Sequence, residues 1–402
     1  MDKQTEKLYA IWLLTVCGPG SFNSYKMLKT FKSAEEMYRS SGEDYYRSGL
    51  FKTREMTVCA DDKSLDKAKR IIEDCEKEKV DIITYFDDDY PEMFKYINCP
   101  PIALFIKGTL PDTYNNPSIS IVGTRNSTQY GQKTAAKISR ELAQCNFIIA
   151  SGMAEGIDTY VHKGALYEQK PTVAFLASGV DVVYPHENKL LYDKIQQNGA
   201  VVSEYFLQTR PHTFNFNPRN RLITAFTHGL LVVESADNGG SLLYVKHALD
   251  QDKMVFAVPG PTNSPSSKGT NGLIKAGAII CTAIEDIINE YEGEIGNKID
   301  RKALQKLIDK GKQNKPVKEK KNYKITDSVT YEYQTKTEHN TSNLSEKQLN
   351  VYNIIDKEPV SIDTLTQILQ ISFPETLMIT QSLEISGYIQ SIAGGMYIRK
   401  KN

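Results

Sequence analysis

The spacing of apolar residues divides the chain into three parts, and the first part is helical in character. An amphipathic run from Leu8 to Val16 ends at Gly18-Pro19-Gly20, and a charged helix is expected from Ser64 to Lys79. We therefore predict a small helical domain over residues 1–85.

The middle of the chain, from about 117 to 290, instead has short apolar runs that alternate with helical stretches. The runs are SISIVG (118–123), NFIIA (146–150), TVAFLA (172–177), AVVSE (200–204), GLLVVE (229–234) and MVFAVPG (254–260). Continuous apolar strands separated by helices are typical of a parallel sheet that is covered on both faces. We therefore predict a doubly wound, mostly parallel α/β domain over 86–295, with ligands bound at the carboxyl ends of its strands.

The third part begins with a change in composition. Between Arg301 and Lys321 there are nine Lys or Arg and two acidic residues, followed by a stretch rich in Thr, Ser and Asn, so 296–343 is predicted to be a basic and polar linker. Three short helices and a terminal hairpin over 344–402 are the pattern of a winged helix. Its third helix, PETLMITQSLEISG, carries acidic residues and no basic ones, which favours a protein contact or self-packing over reading of a DNA major groove.

Composition and charge narrow the classes of protein to which the chain can belong. The 402 residues are enough for two to three domains of about 150 residues each. Forty-nine Lys and Arg balance forty-nine Asp and Glu, so any polyanion must be held by a local patch.

There is no apolar run near the ~20 residues that span a bilayer and no signal-peptide pattern, so we expect a cytoplasmic protein with no membrane contact. The six cysteines lie far apart without a C-x-x-C pair, which disfavours a disulfide framework or a zinc site.

The turn after the first predicted parallel strand, in SIVGTRNSTQYG, is a candidate phosphate site. The turn lies at a helix N-terminus, where backbone N–H groups carry partial positive charge. Arg125 could add a bidentate contact and Ser127 a hydroxyl, beside the strand end at Gly123. The alternative is an ordinary strand–helix turn with an arginine on the surface.

A second turn, ASGMAEGID, follows the next strand and is a candidate ligand site for the same reason. Gly152 and Gly156 let the backbone bend and approach a ligand, while Asp158 could cap the helix or orient a ribose. Neither turn is G-x-G-x-x-G, and the chain contains no G-x-x-x-x-G-K-[ST]. Dinucleotide cofactors and P-loop ATP hydrolysis are therefore disfavoured, and we expect no cofactor.

A third cluster combines arginines with aromatic residues in FNFNPRNRLITAF. Arg219 and Arg221 flank Asn220, with Phe214 and Phe216 just before them. Guanidinium charge for the backbone and flat rings for the bases are what single-stranded nucleic acid requires. The alternative places the rings in the core and pairs one arginine with an internal carboxylate such as that of Glu234.

Two further glycine-bearing loops and the absence of catalytic motifs complete the candidate chemistry. Gly240 and Ser241 lie in one loop, and Lys268 lies in the other as a candidate anion contact or a solvated loop lysine. Neither a G-x-S-x-G elbow nor an H-E-x-x-H helix is present, so we predict no enzymatic activity and no catalytic residue.

The order of motifs resembles that of the DNA-processing protein A (DprA/Smf) family. Nine motifs follow one another over about 87–290: GTRNSTQYG, SGMAEGID, GVDVVYPHEN, SEY, PRNRLI, VVES, NGGSL, FAVPG and KGTNGLIKAGA. The N-terminal helical part is similar to the sterile-alpha-motif or helix-hairpin-helix region of that family, and the C-terminal part to its winged helix.

This resemblance implies an extended Rossmann-like domain in a homodimeric, cytoplasmic protein that binds single-stranded DNA during natural transformation. It implies that the protein protects incoming strands and helps to load the RecA recombinase. The residues carried over to the strand-binding pocket are Gly123, Arg125, Ser127, Ser151, Gly152, Gly156, Arg219, Asn220, Arg221, Gly240, Ser241 and Lys268.

The chain departs from the family pattern at two points, and two other functions compete. Glu155 stands where some members have Lys, and Pro218 directly precedes Arg219, so Phe216 is not counted among the stacking residues. The main alternative is a nucleotide-processing enzyme of the lysine-decarboxylase-like phosphoribohydrolase group, but DNGGSLLY lacks the Gly-Thr and Glu of the P-G-G-x-G-T-x-x-E motif. A transcription regulator that reads DNA through the winged helix is the third reading.

Overall fold

The computed structural model describes residues 3–47, 63–313, 344–355, 360–392 and 396–399. Contacts divide the chain into two compact units, Met1–Val317 and Lys318–Asn402. The predicted polar stretch from 322 to 343, Cys59 and the turn of the terminal hairpin at 393–395 lie outside the described residues.

The N-terminal part of the first unit is helical, as predicted. Its helices are α1 (Lys3–Cys17), α2 (Phe22–Thr30), α3 (Ala34–Arg39), α4 (Gly42–Arg47) and α5 (Asp66–Lys77). The apolar face of α1 buries Trp12 and Leu13, which share one hydrophobic cluster with Phe105 and Val201 of the sheet. The helical region is therefore packed on the sheet through a common core.

A nine-stranded sheet forms the centre of the first unit. Its strands are β1 (Asp81–Thr84), β2 (Ala103–Gly108), β3 (Ser118–Val122), β4 (Ile148–Ser151), β5 (Thr172–Phe175), β6 (Gly199–Ser203), β7 (Gly229–Val232), β8 (Met254–Ala257) and β9 (Ile279–Ile280). The strand order is β1-β2-β6-β5-β4-β3-β7-β8-β9. All neighbours from β6 to β9 are parallel, which confirms the predicted mostly parallel sheet, and the order reverses at β3 and β7.

Helices cover both faces of the sheet, because each central strand is apolar on both sides. They are α6 (Glu92–Lys95), α7 (Gln129–Gln144), α8 (Ile157–Tyr167), α9 (Lys189–Gln197), α10 (Thr213–Ala225), α11 (Leu242–Asp250), α12 (Lys268–Lys275), α13 (Ile284–Ile288), α14 (Gly293–Asn297) and α15 (Arg301–Gln313). In β3, Ile119 and Ile121 pack in the cluster that contains α7 and α8. Val122 packs in the other cluster, with Phe226 and Tyr244.

Two parts of the first unit differ from the sequence expectation. We assigned residues up to 85 to the helical domain, but Asp81–Thr84 form the edge strand β1, which pairs antiparallel with β2. We expected a linker from residue 296, but Arg301–Gln313 form α15. Helix α15 is stable there because Leu304 is buried and Leu307 is partly buried in the cluster below α7, while its basic residues lie on the other side.

The second unit has the predicted winged-helix elements. They are α16 (Glu346–Ile354), β10 (Val360–Ser361), α17 (Ile362–Leu369), α18 (Phe373–Ile385), β11 (Ile389–Ile392) and β12 (Met396–Arg399), with the strands ordered β10-β12-β11. Its small core centres on Val351, Leu365 and Leu383. In neither unit does a described helix combine the length and the apolar character needed to cross a membrane.

Candidate nucleic-acid interface

The turns that carry the predicted site residues lie at one edge of the sheet. Strands β3, β4, β5, β6 and β7 are parallel, so their carboxyl ends meet along the same rim. The turns that begin at Gly123 and Gly152 are adjacent, because β3 and β4 are neighbours. Helix α10 enters this rim from the segment that follows β6.

The turn at Arg125 depends on Gly156. Gly156 has a φ of +75°, and a Cβ atom there would collide with the carbonyl oxygens of Thr124 and Arg125. The backbone of the second turn therefore lies directly against the first, and only glycine permits this approach. The Arg125 side chain that follows from this turn is exposed.

An aromatic ring lies beside the Arg125 guanidinium. The ring is that of half-buried Phe216, with the Arg125 Cζ atom 4.8 Å and the Arg219 Cζ atom 5.8 Å from its centroid. The Tyr184 ring, 43% exposed, meets it edge-on with centroids 6.0 Å apart. Although Phe216 was set aside at the sequence level, the structure places it between the two arginines.

Arg219 is buried at the base of this cluster. Its Nη1 donates to the carbonyl oxygens of Gly152, at 2.9 Å, and of Phe175. A Cβ atom at Gly152 would lie 2.8–2.9 Å from the Arg219 guanidinium nitrogens, so glycine is required for this contact. Arg219 thus joins the ends of β4 and β5 to helix α10 and places positive charge under Phe216.

The N-terminus of α7, predicted to receive a phosphate, is occupied by a carboxylate of the chain itself. Glu234 accepts hydrogen bonds from the Thr128 N–H at 2.9 Å and from the Thr128 hydroxyl at 2.6 Å. The Ser266 hydroxyl donates to the same carboxylate at 3.3 Å. The negative Glu234 side chain already satisfies the partial positive charge of this helix N-terminus. A phosphate would therefore be bound by the Arg125 guanidinium and not by the end of the helix.

Arg221 does not reach the rim, which differs from the expected exposed guanidinium. Its Nη2 donates to both carboxylate oxygens of Glu204 at 2.8 and 2.9 Å, and its Nε donates to the Cys99 carbonyl at 3.0 Å. The two side chains are only 7% and 3% exposed. The arginine–carboxylate alternative was therefore the better one for this residue, with Glu204 rather than Glu234 as its partner.

The remaining predicted residues are divided between the cluster and more distant parts of the rim. Ser151 is buried and its hydroxyl donates to the Ile121 carbonyl, while Asn220 is buried beside Arg219. Gly123 packs on Ile157, and half-buried Ser127 accepts from Gln132. The buried Ser241 hydroxyl donates to Ser235, and the exposed Gly240 has open space around it. The exposed Lys268 is the first residue of α12. These three residues lie in the segments that follow β7 and β8, not in the turns that follow β3 and β4.

Comparison with known proteins agrees with this architecture. The sequence profile of DNA recombination-mediator protein A matches residues 81–292, slightly more than half of the chain. The profile of the DprA winged helix domain matches residues 335–395.

The chain belongs to the DNA recombination-mediator protein A family.

Individual relatives support the same assignment. The DNA processing protein DprA of Bacillus subtilis is 34% identical over 56% of this chain and 75% of its own. That of Streptococcus pneumoniae is 36% identical over 54% of this chain and 76% of its own. The X-ray structure of DNA processing protein A from Streptococcus pneumoniae aligns with a TM-score of 0.59 and 31% identity, covering 71% of this chain and 98% of that one. The resemblance read from the motif order is thereby confirmed.

Three residues that define the geometry of the candidate site and its surroundings were missed or misassigned from the sequence. Tyr184 and Glu204 were not singled out, and Glu234 was considered only as a partner of an arginine. The available signal was position: Glu204 and Glu234 each follow a buried strand, at the edge where ligands of such sheets bind. Among the described residues, no group of three or more His, Cys, Asp or Glu side chains is suited to hold a metal ion.

Asp158 is a buried carboxyl group that interacts with the Arg219 charge, and its pKa leads to a testable result. Burial raises the pKa of Asp158 to about 6, although the Arg219 charge and the N–H groups of Ala154 and Gly152 oppose the shift. A carboxyl group whose pKa is higher in the folded than in the unfolded state destabilises the fold above the folded pKa and ceases to do so on protonation.

We therefore compare the free energy of unfolding of the unaltered protein with that of the Asp158→Asn variant. The unaltered protein should gain about 1–3 kcal/mol relative to the variant as pH falls from about 7 to 4.5. Urea denaturation of both proteins across this range measures the gain, and any effect of the asparagine that does not depend on pH drops out of it. A difference that shrinks on acidification would mean that attraction by Arg219 outweighs burial.

Proposed function

We propose that this chain binds single-stranded DNA at the cluster formed by Arg125, Phe216, Arg219 and Tyr184. The observation that carries the proposal is the Arg125 guanidinium, which is exposed and lies 4.8 Å from the centroid of the half-buried Phe216 ring. A cation for phosphate and a flat ring for a base are thus side by side. Within the described part of the chain, Arg125 makes no ion pair with a carboxylate.

The aromatic ring supports single-strand rather than general polyanion binding. The chain has no net charge, so a strand needs a local positive patch, and Arg219 adds a second positive group below the ring. Duplex DNA hides the faces of its bases, so it can use the arginine but not the ring. The protein is therefore proposed to act as a recombination mediator that protects single strands and helps to load RecA, as a homodimer; these finer roles rest on family membership.

The cluster is proposed to bind without catalysis. Both buried carboxylates near it are engaged: Asp158 accepts from the Gly152 N–H at 3.2 Å, and Glu234 accepts from Thr128. The glutamate of the phosphoribohydrolase motif has no counterpart in DNGGSLLY. Incubation of the protein with nucleoside monophosphates should accordingly release no free base. Measurable release of base would favour the alternative function of a phosphoribohydrolase.

The decisive experiment compares single and double strands. A fluorescent oligothymidylate of about 20–60 nucleotides, long enough for several sites of ~4–16 nucleotides, should bind at moderate salt. The matched duplex should bind at least about tenfold more weakly, because it exposes no base faces to Phe216. Equal affinity for the two would show that stacking plays no part and would refute the single-strand assignment.

A further inference from the structure

A second pair of flat rings lies exposed at the amino-terminal end of α10. The Phe214 side chain is 72% exposed. The His212 ring stacks on it, with centroids 5.1 Å apart and planes only 4° apart. Hydrophobic burial stabilises a side chain in proportion to the apolar area removed from water, so burial accounts for little of this arrangement. The pair presents a large flat face to solvent.

The ring pair lies on a different side of the helix from the cluster around Phe216. Two residues along a helix correspond to a rotation of about 200° and an advance of about 3 Å, so Phe214 and Phe216 face away from one another. A helix with its side chains is about 10–12 Å across. Because stacked nucleotides are about 3.4 Å apart, a strand that rounds the end of α10 covers that width in about three to four nucleotides.

The chemistry of the pair fits an unpaired base. Aromatic rings stack with bases of any sequence, since every base has a π-face. The exposed Arg210 lies two residues before His212 and adds a cation for the phosphates of the same strand. Paired bases in a duplex expose no face to such a ring, so a single strand is the occupant that uses both features.

We propose that His212 and Phe214 form a second base-stacking site, which holds a base about three to four nucleotides from the one at Phe216. This site rests on the proposed function, because the strand must first be held at Arg125 and Phe216. It extends the path of the strand around the N-terminal end of α10.

Tryptophan fluorescence tests stacking directly. The only tryptophan of the chain, Trp12, is buried, so a Phe214→Trp variant carries one exposed reporter ring. Its emission should be strongly quenched when oligothymidylate of about 20 nucleotides is added, because a base stacks on the indole. Tyr167→Trp is the matched control: Tyr167 is 69% exposed at the end of α8, on the opposite edge of the sheet, and its indole should not respond.

Affinity provides the second readout. Phe214→Ala should bind the same labelled strand about 5- to 150-fold more weakly, as expected for the loss of one stacked base, with an unchanged melting temperature because the ring is exposed. Tyr167→Ala should bind as the unaltered protein does.

The possible results separate this site from the proposed function. If the unaltered protein binds no single strand, the proposed function fails. If it binds, and Arg125→Ala weakens binding while Phe214→Ala has full affinity and Phe214→Trp is not quenched, only the second site is refuted. Equal quenching of Phe214→Trp and Tyr167→Trp would also refute it, since the strand would then contact exposed rings without preference.

Discussion

Replacement of Arg221 by alanine is expected to lower the free energy of unfolding by about 3–5 kcal/mol, because it leaves the buried Glu204 carboxylate without its partner. Both side chains are almost wholly buried and form a bidentate ion pair. Removal of one member of such a pair costs far more than loss of an exposed ion pair. Urea denaturation followed by circular dichroism measures the change.

The loss should extend beyond the ion pair because Arg221 in α10 and Glu204 after β6 also bind the segment at Cys99 and the turn at Gly20. Arg221 Nε donates to the Cys99 carbonyl, and its Nη1 donates to the Pro218 carbonyl within α10. Glu204 Oε1 accepts from the Gly20 N–H in the turn between α1 and α2, at 3.0 Å. Arg221→Ala is therefore expected to loosen the contact of the N-terminal helices with α10 as well.

A double substitution provides the control for the buried charge. Arg221→Met with Glu204→Gln removes both charges and keeps similar volumes, so it should recover a substantial part of the stability that Arg221→Ala loses. If Arg221→Ala unfolds at the same urea concentration as the unaltered protein and yet binds single strands more weakly, then Arg221 contacts the strand, as the sequence first suggested.

The sheet could be predicted largely from sequence, and its exceptions have physical reasons. Strands β3 to β8 are almost wholly buried, so each is a short and mostly apolar run that stands out between helices. Strands β1 and β9 lie at the two edges of the sheet and include exposed positions, so they lack the buried apolar run of the central strands. Strand β2 was also missed, because it pairs antiparallel with both neighbours and precedes the alternation of strands and helices from which the parallel sheet was predicted.

The candidate site was less predictable, because exposure is decided by partners distant in sequence. Arg219 and Arg221 stand in the same short motif, but one lies below Phe216 and the other pairs with Glu204 on the segment after β6. No local pattern distinguishes an arginine that meets solvent from one that meets a buried carboxylate. The Gly-bearing turns were easier, because parallel strands necessarily bring their carboxyl ends to one edge.

The position of Phe216 illustrates the same limit. Pro218 directly before Arg219 suggested an altered backbone, but residues Thr213–Ala225 are helical with Pro218 inside the helix. Pro218 is the sixth residue of this helix and cannot donate a backbone hydrogen bond to the Phe214 carbonyl, but the loss of this one bond does not end the helix. The helical periodicity therefore brings Phe216 and Arg219 to the same face.

Replacement of Arg125 by alanine should weaken single-strand binding about tenfold to a hundredfold, since charge-assisted hydrogen bonds contribute about 1.5–3 kcal/mol. The melting temperature should hardly change, because the side chain is exposed and no described carboxylate depends on it. Fluorescence anisotropy at several salt concentrations measures both the affinity and its salt dependence. Loss of one phosphate contact should reduce the slope of log affinity against log salt by about 0.7–1.

Two substitutions show whether position or mere charge is responsible. Arg140→Ala removes an exposed arginine from the carboxyl end of α7, at the opposite edge of the sheet, and should bind strands as the unaltered protein does. Arg125→Lys keeps the charge but loses the flat group that lies against Phe216, so an intermediate affinity with an unchanged salt slope is expected. Full affinity of Arg125→Ala, or equal losses in Arg125→Ala and Arg140→Ala, would mean that strands are attracted by diffuse surface charge and not by the cluster at Phe216.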